Sequence, residues 1–151
     1  MPGATKWYPW RARAAATLGV DDFYVHALVV GRVSTDLVLP GGIVGRQREV
    51  RVSADRIRHI ALRRPEWLAY GLRHASDVLE DPAFLGWRPH HDRRRIEFVR
   101  RVGQERRLLL VAVKFLDDDA EAWISTMHPM KQRYLTRRLR ADTLWPVGRA
   151  P

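Results

Sequence analysis

The chain contains no cysteine. Disulfides, thiolate nucleophiles and cysteine-ligated zinc are therefore excluded. Long hydrophobic runs are also missing. The longest dense apolar stretch, Leu108–Val113, is far too short to span a bilayer. The N-terminus has no continuous apolar segment behind a basic start, so the sequence is read as lacking a signal peptide. The expected location is the cytoplasm, either of the producing cell or of a cell into which the protein is delivered. Pro40-Gly41-Gly42 is not followed by a helix carrying Lys-Ser or Lys-Thr, so no phosphate-cradling loop is present. No Gly-x-Ser-x-Gly elbow occurs either. His90-His91-Asp92 is a poor metal motif, because adjacent histidines in an extended loop point apart and no third ligand stands at a usable spacing. No metal and no cofactor is expected.

Acidic residues are few beside basic ones: 17 Asp+Glu against 27 Lys+Arg, a formal net charge of +10 over 151 residues. Most of the surplus is arginine, whose planar donor fork fits phosphate oxygens and stacks on bases. A charge of this size favours polyanions, nucleic acid before an anionic membrane surface. The plainer explanation is a coding bias that enriches arginine without any anionic partner. Hydrophobic residues make up 46% of the chain, enough for a packed core and against wholesale disorder.

In chain order, Met1–Trp10 reads as an extended arm with Trp7, Tyr8 and Trp10, and Ala-rich Arg11–Leu18 as a short helix. Phe23–Val33 and Gln47–Val52 read as strands around the Pro40-Gly41-Gly42 turn, giving an N-terminal hairpin. Ser53 can cap a helix over Ala54–Arg63, with Ile57, Ile60 and Ala61 on one stripe. Pro65 suits the first position of a second helix running to Glu80, with Leu68, Gly71, Leu72, Ala75, Val78 and Leu79 inward. A meander follows: Phe84–Trp87, Arg95–Val102, Arg107–Phe115 and Glu121–Met127, with turns at Gly103 and Asp117-Asp118-Asp119. Pro129 is expected to stop the last strand. Met130–Arg140 reads as a short C-terminal helix with Tyr134, Leu135 and Leu139 inward and Arg133, Arg137 and Arg140 outward. The expected fold is α+β: two helices on a four-stranded antiparallel meander, a short C-terminal helix and an N-terminal extension with a hairpin. The expected divisions are residues 1–49 (extension), 50–140 (functional domain) and 141–151 (a loose tail).

The candidate site gathers around the end of the last strand. Ser125 and Thr126 supply adjacent hydroxyls, His128 an imidazole, and Arg133, Arg137, Arg138 and Arg140 a basic helix. Strict alternation would send Ser125 and Thr126 to opposite faces, so only one addresses a substrate, with Thr126 favoured. His59 lies at the edge of the first apolar stripe and is followed by Arg63 and Arg64. His74 falls near the buried face of the second helix, where a core role is the commoner fate. Hydroxyls and imidazoles are also ordinary strand and loop residues, and arginine runs are often only solvated faces.

The helix containing His59-Ile60 between Ser53 and Pro65, then Asp77-Val-Leu-Glu-Asp-Pro82, then Trp123 to Pro129, resembles phage-associated nucleases of the barnase–EndoU–colicin–RelE (BECR-type) superfamily. The resemblance covers Val50–Leu139. It implies a metal-independent ribonuclease fold with RNA laid across the sheet. It also implies roles for His59, for basic residues on the helix and sheet, and for the hydroxyl of Ser125 or Thr126.

The function so indicated is RNA cleavage by 2′-OH attack, in a toxin or mobile-element effector. His59 would be base or acid, with His128 or His74 as its partner. Thr126 would donate to the transition state, and the arginines would clamp phosphate. The expected partners are RNA (tRNA or another structured RNA) and a small acidic inhibitor protein, with no membrane. The alternative from another class is a non-catalytic nucleic-acid-binding protein using the same basic face. A third is an adaptor whose charge reflects composition only.

Overall fold

A computed structural model of the chain describes residues 4–6, 27–34, 37–40, 49–116 and 122–148. The readings of Trp7, Tyr8 and Trp10, of Arg11–Leu18, of the Gly41-Gly42 turn and of Asp117-Asp118-Asp119 lie outside the described residues.

The two central helices begin and end where local chemistry dictates. Helix α1 spans Ala54–Arg63, and the Ser53 hydroxyl accepts from the Arg56 N–H at 3.2 Å. Arg64 cannot continue the helix, because the residue before a proline is driven out of the α region. It is extended (φ −146°, ψ 77°), and Pro65 opens helix α2, Pro65–Glu80. The result is a sharp α1–α2 corner at Arg63-Arg64. Both helices bury one stripe: Ile57 and Ile60 on α1, and Leu68, Gly71, Leu72, Ala75, Val78 and Leu79 on α2.

Eight strands follow the chain as β1 (Ala4–Lys6), β2 (Ala27–Arg32), β3 (Glu49–Val52), β4 (Phe84–Trp87), β5 (Arg95–Val102), β6 (Arg107–Phe115), β7 (Ala122–Met130) and β8 (Leu144–Pro146). They form one sheet in the order β1-β2-β3-β7-β6-β5-β4-β8. The class is α+β, but the sheet is larger than the expected four strands. β4, β5, β6 and β7 pair consecutively and antiparallel. The sheet then continues past both ends of that run. β3 joins β7 in parallel through Val50↔Ala122 and Arg51↔Trp123, and β8 pairs with β4. Pairings of this kind link distant segments and leave no local sequence mark.

Alternation along β6 gives the sheet two covered faces. Leu109, Val111, Val113 and Phe115 pack with α1 and α2. Leu108, Leu110 and Ala112 pack on the other side with Leu135 of helix α3 (Gln132–Arg140) and Leu144. Leu28, Val30 and Val33 share the first core with Ile57 and Leu72, so residues before position 50 contribute to the same hydrophobic interior. The expected loose tail is corrected in part: Leu144–Pro146 is strand β8, and Trp145 packs on the core.

Two expectations about β7 are also corrected. The strand runs through Pro129, which sits opposite Leu109, and ends at Met130. Proline is tolerated there because pairing with β3 stops at Trp123, leaving the rest of β7 as a sheet edge among the described residues. The second correction is a β-bulge. Ala112 faces Thr126 and Val113 faces Ile124, so Ser125 is an extra residue. That slip is why Ile124 and Met127, three positions apart, both reach the core under the helices. Ser125 and Thr126 therefore do not diverge. Thr126 lies opposite Ala112, on the α3 face, and the Ser125 hydroxyl accepts from Arg95 Nε at 3.4 Å on that same face.

No helix among the described residues is long and apolar enough to cross a membrane.

Candidate nucleic-acid site

The α1–α2 corner stands against the edge of β7 and borders a hollow of about 470 Å³. Its walls are His59, Ile60, Arg63 and Arg64 from the corner, Trp67 from the first turn of α2, and Thr126 and Met127 from β7. His59, Arg63 and Arg64 are exposed and Thr126 is half-buried. The corner geometry set by Pro65 is what turns Arg63, Arg64 and Trp67 towards one place. The Arg64 guanidinium lies over the Trp67 ring, 5.1 Å from its centroid.

Trp67 is also a wall of a second hollow, about 530 Å³, on the α3 side of the sheet edge. Here the strands supply Glu97, Arg95, Leu110, His128, Pro129 and Met130. Arg88 comes from the β4–β5 loop, Lys131 from the β7–α3 junction, and Tyr134 and Arg138 from α3. The Trp67 and His128 rings are 5.9 Å apart and tilted by 39°. His128 Nδ1 lies 2.9 Å from the Pro129 carbonyl oxygen. A carbonyl only accepts, so Nδ1 is the donor in this contact, and in the uncharged tautomer that makes it the lone pair is at Nε2.

Glu97 is the buried carboxylate of this hollow, 5% exposed. One oxygen accepts from Arg138 and the other from Arg95 at 3.4 Å. Burial alone would push its carboxyl up. The Arg138 hydrogen bond and charge, with Arg95 and Arg88 beyond, outweigh burial and hold it below the usual carboxylate range. Glu97 is thus an ionised, weakly basic anchor for guanidinium groups.

The sequence-derived candidates divide cleanly. His59, Arg63 and Arg64 share the first hollow, which borders Thr126 at the strand edge although that side chain is on the α3 face, and His128 lines the second. Ser125 is engaged by Arg95. Arg138 is not a free phosphate ligand: it is buried, paired with Glu97, and donates to the Thr143 hydroxyl at 2.7 Å and its carbonyl at 3.0 Å. Arg133, Arg137 and Arg140 are exposed on α3. Tyr134, expected inward, is 42% exposed, with the Arg133 and Arg137 guanidiniums 5.2 and 5.3 Å from its ring centroid. His74 lines neither hollow. It packs on Tyr70 at 4.7 Å beside the Gly103 turn, and burial lowers its pKa below the ordinary histidine value.

Sequence reasoning missed Trp67, Arg88, Arg95, Glu97 and Lys131. Glu97 was legible only as a carboxylate inside an apolar strand pattern, a position where an ionisable group needs a partner. Among the described residues, no three His, Cys, Asp or Glu side chains come together as a metal-ligand set.

Compared with protein-family models, with curated proteins and with solved structures, the chain matches none.

Proposed function

We propose that this chain is a metal-independent ribonuclease that cleaves by attack of the RNA 2′-OH on the adjacent phosphodiester, acting as a toxin or mobile-element effector. One observation carries the reading: two hollows meet at Trp67, each bringing an imidazole and basic side chains to the same sheet edge. The support comes from this site and the basic charge, not from any relative.

RNA supplies its own nucleophile. In the proposed reaction His128 Nε2 takes the 2′-OH proton, the 2′-oxygen bonds to phosphorus, and the P–O5′ bond breaks. Protonated His59 gives its proton to the departing 5′-oxygen, leaving a 2′,3′-cyclic phosphate and a 5′-hydroxyl. Arg63, Arg64, Arg95 and Lys131 offset the charge that develops on the phosphoryl oxygens, and Thr126 offers a hydroxyl donor. Glu97 and Arg138 take no proton; they fix Arg95 in place.

The test is incubation of purified protein with a mixed RNA pool in excess EDTA. Products ending in 2′,3′-cyclic phosphate support the proposal. Retarded but intact RNA assigns the chain to non-catalytic nucleic-acid binding. The toxin element predicts arrested growth on expression, relieved by a small acidic partner protein; free growth removes that element alone.

A further inference from the structure

We infer that Trp67 is the stacking platform for an unpaired nucleobase, so that the substrate is single-stranded where it is bound. The inference rests on the nucleic-acid reading of the two hollows and adds what kind of nucleic acid fits them.

Trp67 lines both hollows, and each carries cationic side chains: Arg63 and Arg64 in one, Arg95 and Lys131 in the other. In a single strand every base has a phosphate beside it, and here the indole has cations on either side of it. Trp67 is only half-buried, so part of its ring surface is open to a ligand. The His128 ring does not close on it as a parallel stack. Arg64 stands 5.1 Å from the centroid, and His128 is 5.9 Å away and tilted by 39°. A base laid on the indole would have the Arg64 guanidinium as a second planar partner, and the phosphate next to it would lie beside the cations that border the indole in both hollows. Bases inside a duplex are already stacked on one another and cannot present a face in this way. Stacking of this type tolerates any base, so weak sequence preference is expected from Trp67 itself.

The experiment measures binding of a short single-stranded DNA, which lacks the 2′-OH and is not consumed, against the same sequence annealed as a duplex. Trp67→Ala, Trp67→Phe and Trp67→Leu are compared with the parent protein, each checked by thermal melting. Loss of one stacked aromatic should weaken single-strand binding by about fivefold to a hundredfold. Trp67→Leu keeps bulk without a ring and should behave like Trp67→Ala even if the alanine variant folds poorly. Trp67→Phe should keep most of the affinity, and duplex binding should be weaker than single-strand binding and the same in all variants. Unchanged single-strand affinity in the leucine variant, or an equal loss for duplex, overturns the inference. Cleavage of single-stranded RNA in the same variants separates the two proposals. Ring-dependent binding without cleavage by the parent protein sinks the ribonuclease reading and leaves the platform standing. Cleavage that ignores Trp67→Leu does the reverse.

Discussion

Glu97 and Arg138, 41 residues apart in sequence, form a buried ion pair between the middle of β5 and the last turn of α3. Their side chains are 7% and 11% exposed. The pair pins α3 to the sheet and walls the second hollow. Removing one partner leaves a buried charge short of its main ligand. Arg138→Ala should therefore destabilise the fold by roughly 3–5 kcal/mol, measured by urea unfolding. Gly86 faces the same pair: a Cβ there would lie 2.7 Å from Leu144 Cδ1 and 2.8 Å from Glu97 Oε1. Gly86→Ala should lower stability through the same contact, and unchanged midpoints in both variants would contradict this account.

The same carboxylate predicts acid sensitivity. Glu97 has a folded-state pKa below its ordinary value, so the folded protein binds fewer protons than the unfolded chain as the pH falls through the carboxylate range. Its stabilisation is complete above the unfolded carboxylate pKa and is lost as pH drops through the lowered folded value. His74 acts in the same sense at higher pH, because its burial disfavours the charged ring. Unfolding free energy measured from pH 7 downwards should fall, and Glu97→Gln should flatten the lower part of that slope. An identical slope in the variant would remove Glu97 as its source.

His59 is exposed, whereas His128 is half-buried against Trp67. His59→Ala and His128→Ala should each reduce RNA cleavage by about 10²- to 10⁴-fold. The melting temperature of His59→Ala should stay at the parent value. Normal cleavage in either variant takes that imidazole out of the mechanism.

Arg137 lies on the solvent side of α3, over Tyr134 at the mouth of the second hollow. Arg137→Ala should leave stability within about 0.5 kcal/mol. It should reduce the slope of log affinity against log salt for RNA by about 0.7–0.9 if it holds one phosphate. An unchanged slope would make the arginine stripe a solvated face only.

Gly31 on β2 meets α2 where only hydrogen fits: a Cβ would stand 2.9 Å from the Ser76 Cα. That neighbour is backbone and cannot rotate away. Gly31→Ala should cost about 1–3 kcal/mol by lifting the helix from the sheet. A neutral substitution would show that α2 can slide without loss of packing.

Much of the local structure was legible because its causes are local. Ser53, Arg64-Pro65 and the apolar spacing of Ile57, Ile60, Leu68 and Leu72 set where α1 and α2 begin, bend and bury themselves. Those boundaries already placed His59 beside Arg63 and Arg64, and arginine content alone pointed to a polyanion. The remaining features depend on partners far along the chain. Alternation cannot reveal an extra residue, so the bulge at Ser125 reversed the expected divergence of the two hydroxyls. Helical spacing put Tyr134 inward and left Arg138 on the basic list. Packing chose otherwise, because Glu97 on β5 needed a cation and the α3 position facing it carried one. The sequence by itself determined the helices, most strand limits and the basic character of the chain, through capping, proline sterics and hydrophobic period. Only the tertiary structure decided that the α1–α2 corner meets the β7 edge left unpaired among the described residues, with Trp67 between two cationic hollows, since that meeting depends on where β3 leaves β7 and no segment encodes it alone.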